Sequence, residues 1–287
     1  MVQKIIDLCK QAAELNYSLN FRNGNIIELP EKGKLIVSGD LHGHRKNYQK
    51  IIAFADLENN PDTHLILQEI LHGGIKDEKG GCLSFQLFFE ILDLKTRFPD
   101  RVHMIMGNHD TAIITDSDVM KAGREMNEAL KNALKRCFGE DFQTVNDAIK
   151  EYLLSQPLAA KTAKGIWVSH SLPADRYISD FDLDVFDTEL FPDDLLRPEP
   201  AYLLTWGRRH SDEKLTEFAD ALGVNIFILG HQKHEKGAKQ AGKNAIILIS
   251  EHNHGCLIAI DLAKMYTVEE LLDRVISLAS IEVKQDE

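Results

Sequence analysis

The chain has 287 residues, of which 44% are hydrophobic and 27% are charged, and its formal net charge is -12. This composition is typical of a globular protein with a sizeable core. The negative charge argues against a general nucleic-acid binder, which needs a basic surface to displace counterions from phosphate. No apolar run is long enough to cross a bilayer, so we expect no membrane partner.

The cysteines and the N-terminus indicate the compartment. Cys9, Cys82, Cys137 and Cys256 are far apart and form no CxxC pair, which argues against a zinc knuckle or a redox motif. Without a disulfide framework we expect a reducing, cytoplasmic compartment. The first residues have a helical apolar stripe interrupted by charges, not the apolar block of a signal peptide. We therefore predict an N-terminal helix over about residues 1–20.

Short, β-branched apolar runs recur along the chain, and each predicts a buried strand. They cover 35–37, 65–67, 102–106, 166–168, 226–229, 245–249 and 257–260. Helical patterns cover 84–98 and 125–138, and a capping box at Thr267 and Glu270 begins a last helix predicted over about 267–280. We predict an α/β fold with two central mixed β-sheets flanked by helices. No convincing linker is present, so residues 1–287 are expected to form one domain.

The segment 181–200 is acidic and contains three of the eight prolines. This composition predicts a long surface loop. We favour a solvated connector over a loop that helps to shape a substrate groove.

Polar residues directly follow four of the predicted strands. They are Asp40 and His42 in GDLHGH, then Asn108, His109 and Asp110 in GNHD, then His170, and finally His231. Ligands bind at the carboxyl edge of the strands in open α/β sheets, so these side chains are expected to converge. The glycines beside them permit tight turns and close backbone approach.

The residue types at this edge suit a metal site. Imidazole, carboxylate and amide oxygen together bind divalent manganese, iron or zinc. A lone His42 or His231 would more often be an ordinary surface or core histidine, and Asn108 and Asp110 alone would be capping or turn residues. The order of GDLHGH and GNHD, each after an apolar strand, favours the metal site instead.

These motifs resemble those of the phosphoprotein phosphatase branch of the calcineurin-like metallophosphoesterases. The resemblance covers about residues 29–262, and GDLHG, QEILHGG, GNHD, HS and a later histidine stand where the family has GDxHG, GDxxDRG, GNHE, HG and histidine. It implies two divalent ions, with Asp40 and His42 as ligands of the first and with Asn108, His170 and His231 as ligands of the second. It also implies His109 as general acid, Asp110 as a group available to orient His109, and Asn108 as a phosphate contact.

The second block departs from the family pattern. Glu69 stands where the family has its bridging aspartate, and we favour Glu69 as a bridging ligand over the alternative that only one metal binds well. His72 replaces the aspartate that supports the catalytic histidine, and Gly73 replaces an arginine that clamps phosphate. This loss of bidentate donors should weaken phosphate binding.

Other residues could replace the missing phosphate contacts. Arg208 is preferred to Arg209 for this role because it lies nearer Trp206, and His72 or His44 could assist. Asn253 and His254 on the last hairpin are interpreted as turn residues rather than substrate contacts. Both tryptophans, Trp167 and Trp206, are interpreted as core residues.

The resemblance implies hydrolysis of phosphate monoesters by attack of a metal-bound hydroxide, with phosphoserine or phosphothreonine in proteins as one candidate substrate. A small phosphoester such as a dinucleoside polyphosphate or another nucleotide is the first alternative. A weakly active or inactive binding protein that kept the fold is the second.

Overall fold

A computed structural model gives the architecture of the chain and describes residues 2–117, 120, 121 and 124–283. The helices are α1 (Val2–Tyr17), α2 (Arg45–Ala55), α3 (Ser84–Arg97), α4 (Asn108–Ile114), α5 (Met126–Phe138), α6 (Phe142–Leu154), α7 (Asp175–Ile178), α8 (Pro200–Trp206), α9 (Asp212–Leu222) and α10 (Val268–Leu272). The strands are β1 (Arg22–Asn23), β2 (Ile26–Glu28), β3 (Lys34–Asp40), β4 (Thr63–Gln68), β5 (Val102–Ile105), β6 (Met120–Lys121), β7 (Arg124–Glu125), β8 (Ala159–Lys161), β9 (Ile166–Ser169), β10 (Ile226–Leu229), β11 (Ala238–Ala241), β12 (Ala245–Leu248), β13 (Cys256–Asp261) and β14 (Val275–Ser277).

Two mixed sheets form the centre of the fold. The larger has the order β1-β2-β8-β9-β10-β12-β11, and the smaller has the order β14-β13-β3-β4-β5. Strands β3, β4 and β5 are parallel, and so are β9, β10 and β12. The antiparallel pairs are β13 with β14 and with β3 in the smaller sheet, and β1 with β2, β8 with β9 and β11 with β12 in the larger sheet. The predicted fold of two mixed sheets flanked by helices is confirmed.

Alternation of side chains along the strands divides the core into two parts. Leu35 and Val37 of β3 pack in one apolar cluster with Ile228 of β10, so this cluster fills the space between the sheets. Ile36 and Phe227 point the other way, into a second cluster that includes the buried faces of the helices. Both sheets are therefore covered on both faces, which explains why their central strands are almost continuously apolar.

The predicted strands and the helices over 84–98 and 125–138 are confirmed, but the predicted extent of the last helix is wrong. The capping box is present, since the Thr267 side chain accepts a hydrogen bond from the amide of Glu270 and the Glu270 carboxylate accepts one from the amide of Thr267. Helix α10 nevertheless ends at Leu272, and β14 then pairs antiparallel with β13. The β-branched residues of β14 therefore extend the small sheet instead of a helix.

The segment 181–200 contains two short 3-10 turns, and it packs on the core more closely than a solvated connector would. Val185, Phe186 and Leu195 are buried. The side-chain amide of Asn25 donates hydrogen bonds to the carbonyl oxygens of Val185 and Thr188. Among the described residues, no helix has the length and apolarity needed to cross a bilayer. The single-domain organisation stays a prediction.

Candidate metal centre

The five strand-end ligand candidates of both sheets meet in one buried cluster. Asp40 ends β3, Glu69 directly follows β4, and Asn108 begins α4 shortly after β5. His170 and His231 come just after β9 and β10. All five side chains are buried. Because β3, β4 and β5 run parallel, as do β9 and β10, their carboxyl ends share one edge, and the parallel bridge between Asp40 and Ile249 joins the two sheets there.

Asn108, His170 and His231 present three donor atoms at the spacing of a metal coordination sphere. Asn108 Oδ1 lies 2.9 Å from His170 Nε2 and 2.9 Å from His231 Nδ1, and the two imidazole nitrogens lie 3.1 Å apart. Neighbouring ligands about 2.1 Å from an octahedral ion are separated by about 3 Å. These three atoms therefore fit one divalent cation.

Glu69 lies between this group and a second group of donors. Its Oε2 is 2.8 Å from His42 Nε2, while its Oε1 is 3.6 Å from His170 Nε2. The carboxylate of Asp40 also lies between the two imidazoles, with 3.9 Å from Oδ2 to His42 Nε2 and 3.5 Å from Oδ1 to His170 Nδ1. Ligand atoms of Asp40, Glu69 and His170 all lie within 4.8 Å of one another. Both carboxylates thus lie between the His42 side and the His170 side of the cluster.

The buried carboxylates of Asp40 and Glu69 have lost water, so nearby positive charge stabilises their ionised forms. Burial raises the pKa of Asp40 to about 6, because the charged carboxylate loses water. Burial also acts to raise the pKa of Glu69, but the neighbouring His170, His109 and His42 lower it well below its usual value. Burial lowers the pKa of His42, yet the hydrogen bonds to Glu251 and Glu69 outweigh it and raise this pKa to about 10. Two buried carboxylates among imidazoles form a donor set suited to divalent cations.

The backbone at the site is strained. His42, Glu69 and His231 have φ values of 43°, 46° and 64°, in the left-handed region that residues other than glycine rarely adopt. Gly230 lets His231 approach Asp40, since a Cβ at Gly230 would lie 2.3 Å from Asp40 Oδ1. The amide of His231 donates to both oxygens of Asp40, at 3.1 and 3.0 Å. The surrounding fold therefore holds these side chains in one arrangement.

His109 lies beside the donor atoms and stacks on His72. The two ring centroids are 4.0 Å apart with an interplanar angle of 12°, and the amide of His109 donates to Glu69 Oε1 at 2.9 Å. His72 stands where the family resemblance expects an aspartate, and its stacking therefore restrains the His109 ring. Asp110 accepts a hydrogen bond from the amide of Gly107 at 2.9 Å, and its burial raises its pKa to about 8. This contact caps α4, so it orients the helix that carries His109.

A cavity of about 650 Å³ opens over the cluster. The residues that line it agree only in part with the sequence predictions. Arg208 and Arg209 both line it, and Nε of Arg208 donates to His231 Nε2 at 2.8 Å. Trp206 also lines the cavity, so the interpretation of this residue as core packing is wrong. Trp206 is half-buried, and its Nε1 donates to Oγ1 of the buried Thr111 at 3.0 Å. Trp167 is fully buried, as expected.

Glu251 and His44, both near the site, have roles that the sequence did not indicate. The carboxylate of Glu251 contacts His42 Nδ1, on the side of the ring away from Glu69. Glu251 stands shortly after β12, in the same strand-end setting as the other ligands, and that setting was the available signal. Asn253 and His254 lie in an exposed turn, as predicted. His44 accepts a hydrogen bond from the amide of Asn47 and so caps α2, which argues against a phosphate contact.

Comparison with known proteins identifies the family. A family model described as calcineurin-like phosphoesterase matches residues 33–235, well over half of the chain. The chain belongs to the calcineurin-like phosphoesterase family. The resemblance drawn from the motifs is thereby confirmed.

Individual relatives match only part of the chain or share little sequence identity with it. The catalytic subunit of serine/threonine-protein phosphatase 6 from Drosophila melanogaster is 30% identical over 106 residues, which span 37% of this chain and 32% of that relative. A yeast (Saccharomyces cerevisiae) protein serine/threonine phosphatase with similarity to human phosphatase PP5 superposes with a TM-score of 0.69 at 14% identity, covering 96% of this chain and 88% of the yeast chain. A cold-active protein-tyrosine phosphatase from a psychrophilic Shewanella has a TM-score of 0.56 at 15% identity, covering 87% and 80% of the two chains. These two structures support the fold.

Proposed function

We propose that this protein is a metal-dependent phosphoesterase that hydrolyses phosphate monoesters. The observation that supports this function best is the position of the Glu69 carboxylate, between His42 on one side and the Asn108, His170 and His231 donors on the other. A binding protein without chemistry has no need for such a cluster facing a histidine that lines a cavity.

Each side chain has a proposed task at this centre. Asp40, His42 and Glu69 would hold one divalent ion, and Asn108, His170 and His231 would hold a second that shares Glu69. When bound, the ions would act as Lewis acids and make a nucleophilic water available at neutral pH. Manganese is the first ion to test, with iron and zinc as alternatives that suit the same ligands.

His109 is the proposed general acid. Its backbone is held by Glu69 and its ring by His72, so the imidazole has one orientation at the edge of the cavity. A positioned imidazole can protonate the leaving oxygen, a contribution typically worth about 100- to 10,000-fold in rate. Asn108 and Arg208 would contact the phosphate oxygens, because both line the same cavity.

Phosphorylated side chains of proteins are the first substrate class to test. The Drosophila relative and the yeast structure are serine/threonine phosphatases, and the Shewanella structure is a protein-tyrosine phosphatase. Small phosphoesters remain the alternative class, and a cytoplasmic location stays part of this proposal.

The test combines metal content with turnover. Protein purified without chelator is assayed by elemental analysis and, with added Mn²⁺, on p-nitrophenyl phosphate, for the wild type, Asp40→Asn and His109→Ala. We expect about two metals per chain, turnover lost in both variants, and metal lost only in Asp40→Asn. Asp180→Asn and His254→Ala change exposed residues of the same types and serve as controls. Full turnover in both site variants, or bound metal without turnover in the wild type, would overturn the proposal.

A further inference from the structure

A second, smaller cavity adjoins the candidate metal centre. It has a volume of about 190 Å³, and its lining includes Arg176, Tyr177, Arg197, Tyr202, Trp206 and Arg208. Trp206 and Arg208 also line the cavity over the metal centre, so the two cavities meet at these residues. We call the smaller cavity the arginine pocket.

Among the described residues, the arginines that line these two cavities have no acidic partner. Within the described part of the chain, no carboxylate oxygen lies within 4.0 Å of a guanidinium nitrogen of Arg176, Arg197, Arg208 or Arg209. Elsewhere Arg45, Arg97 and Arg136 each pair with a carboxylate, of Glu90, Glu58 and Asp77 respectively. Uncompensated arginines on one side of a site concentrate anions there, even though the formal net charge of the chain is -12.

Aromatic side chains hold the arginine pocket in shape. The guanidinium of Arg176 lies over the ring of Tyr177, 4.6 Å from its centroid. Arg197 lines the same cavity as Arg176 and Tyr177, so the guanidiniums of both arginines lie on the wall that carries this phenol. The rings of Tyr202 and Trp206 stack at 5.3 Å with an interplanar angle of 14°. The arginine pocket thus presents planar guanidinium donors beside packed aromatic rings.

We propose that the arginine pocket binds a second anionic group of the substrate, a carboxylate or a phosphate, while the scissile phosphate lies at the metal centre. The proposal rests on the proposed function and adds a substrate class to it. Planar guanidiniums donate two parallel hydrogen bonds to a carboxylate or phosphate, a geometry that lysine cannot match. Arg208, at the junction, would lie between the two anionic groups.

The experiment compares substrates that differ only in the second anion. One pair is a phosphoserine peptide with glutamate or with glutamine beside the phosphoserine. The other pair is adenosine 3′,5′-bisphosphate and AMP, which carry the same 5′-phosphate monoester. kcat/KM in Mn²⁺ and the Kd of the Mn²⁺-loaded protein are measured for the wild type and for Arg176→Ala/Arg197→Ala. The matched control is Arg45→Ala/Arg97→Ala, which removes two arginines already paired with carboxylates.

We expect the wild type to prefer the more acidic member of at least one pair, and the pocket variant to lose about tenfold of that preference, because two exposed charge pairs are removed. A loss confined to the peptides identifies a carboxylate as the second anion, and a loss confined to the nucleotides identifies a phosphate. An equal preference in the wild type and the pocket variant, in both kcat/KM and Kd, overturns the arginine pocket. Absence of any turnover, with a preference in Kd that the pocket variant loses, overturns the proposed function and leaves the pocket supported.

Discussion

Shortening Glu69 to aspartate tests whether the position of this carboxylate, rather than its charge alone, makes the metal centre. The family pattern has aspartate here, so Glu69→Asp restores the family residue. In this chain, however, the longer side chain brings Oε1 to 2.9 Å from the amide of His109 and Oε2 to 2.8 Å from His42 Nε2. Removing one methylene withdraws the carboxylate by about 1.5 Å. The first distance would grow to roughly 4.4 Å, beyond hydrogen-bond reach.

The expected loss follows from these contacts. A hydrogen bond to a charged group contributes about 1.5–3 kcal/mol, so Glu69→Asp should weaken Mn²⁺ binding about 10- to 100-fold. Isothermal titration of the metal-free protein with Mn²⁺ measures the affinity and the stoichiometry, and circular dichroism checks that the variant folds. Glu213→Asp, at an exposed position of α9, is the matched control.

Glu69→Gln separates geometry from charge, because it keeps the length of the side chain and removes the negative charge. We expect it to weaken Mn²⁺ binding at least as much as Glu69→Asp does. Wild-type affinity and stoichiometry in Glu69→Asp would refute the reasoning, since the backbone would then place a shorter carboxylate equally well.

Three further predictions follow from single contacts. Gly230→Ala should weaken Mn²⁺ binding in a titration, because its Cβ would lie 2.3 Å from Asp40 Oδ1; unchanged affinity would contradict the close approach. Glu251→Gln should weaken Mn²⁺ binding about 10-fold or more, since Glu251 orients His42; no change would exclude that role. Burial lowers the pKa of Lys95 from 10.5 to about 8, so the unfolded state binds more protons between these values and stability should rise with pH there. Lys95→Met should therefore raise the free energy of unfolding in urea at pH 7 and less at pH 10; an equal effect at both would contradict the shift.

Much of the fold was predictable because its signals are local. The central strands follow from short continuous runs of apolar, often β-branched residues, and the capping box at Thr267 follows from residue spacing. The end of α10 was not predictable in this way. Val275 and Ile276 pair with β13, and that pairing depends on a partner strand which local propensity does not include.

The residues of the candidate site were also predictable only in part. Asp40, His170 and His231 were predictable because each follows a buried strand, and parallel strands deliver their ends to one edge. Glu251 was missed because its contact with His42 crosses from one sheet to the other. Asp110 caps α4 at the amide of Gly107, and its role in orienting His109 stays a prediction.

By itself, the sequence determined the α/β class, the order of the main strands and the family of the chain. The reason is that periodicity and short motifs depend only on residues close together in the chain. Only the tertiary structure decided that Glu69 reaches both donor groups, that Trp206 faces a cavity, and that Arg176 and Arg197 line one cavity with Tyr177 beside the site. The physical reason is that these contacts join segments far apart in the chain, and their distances are set by how the two sheets and the loops after α7 and α8 pack together.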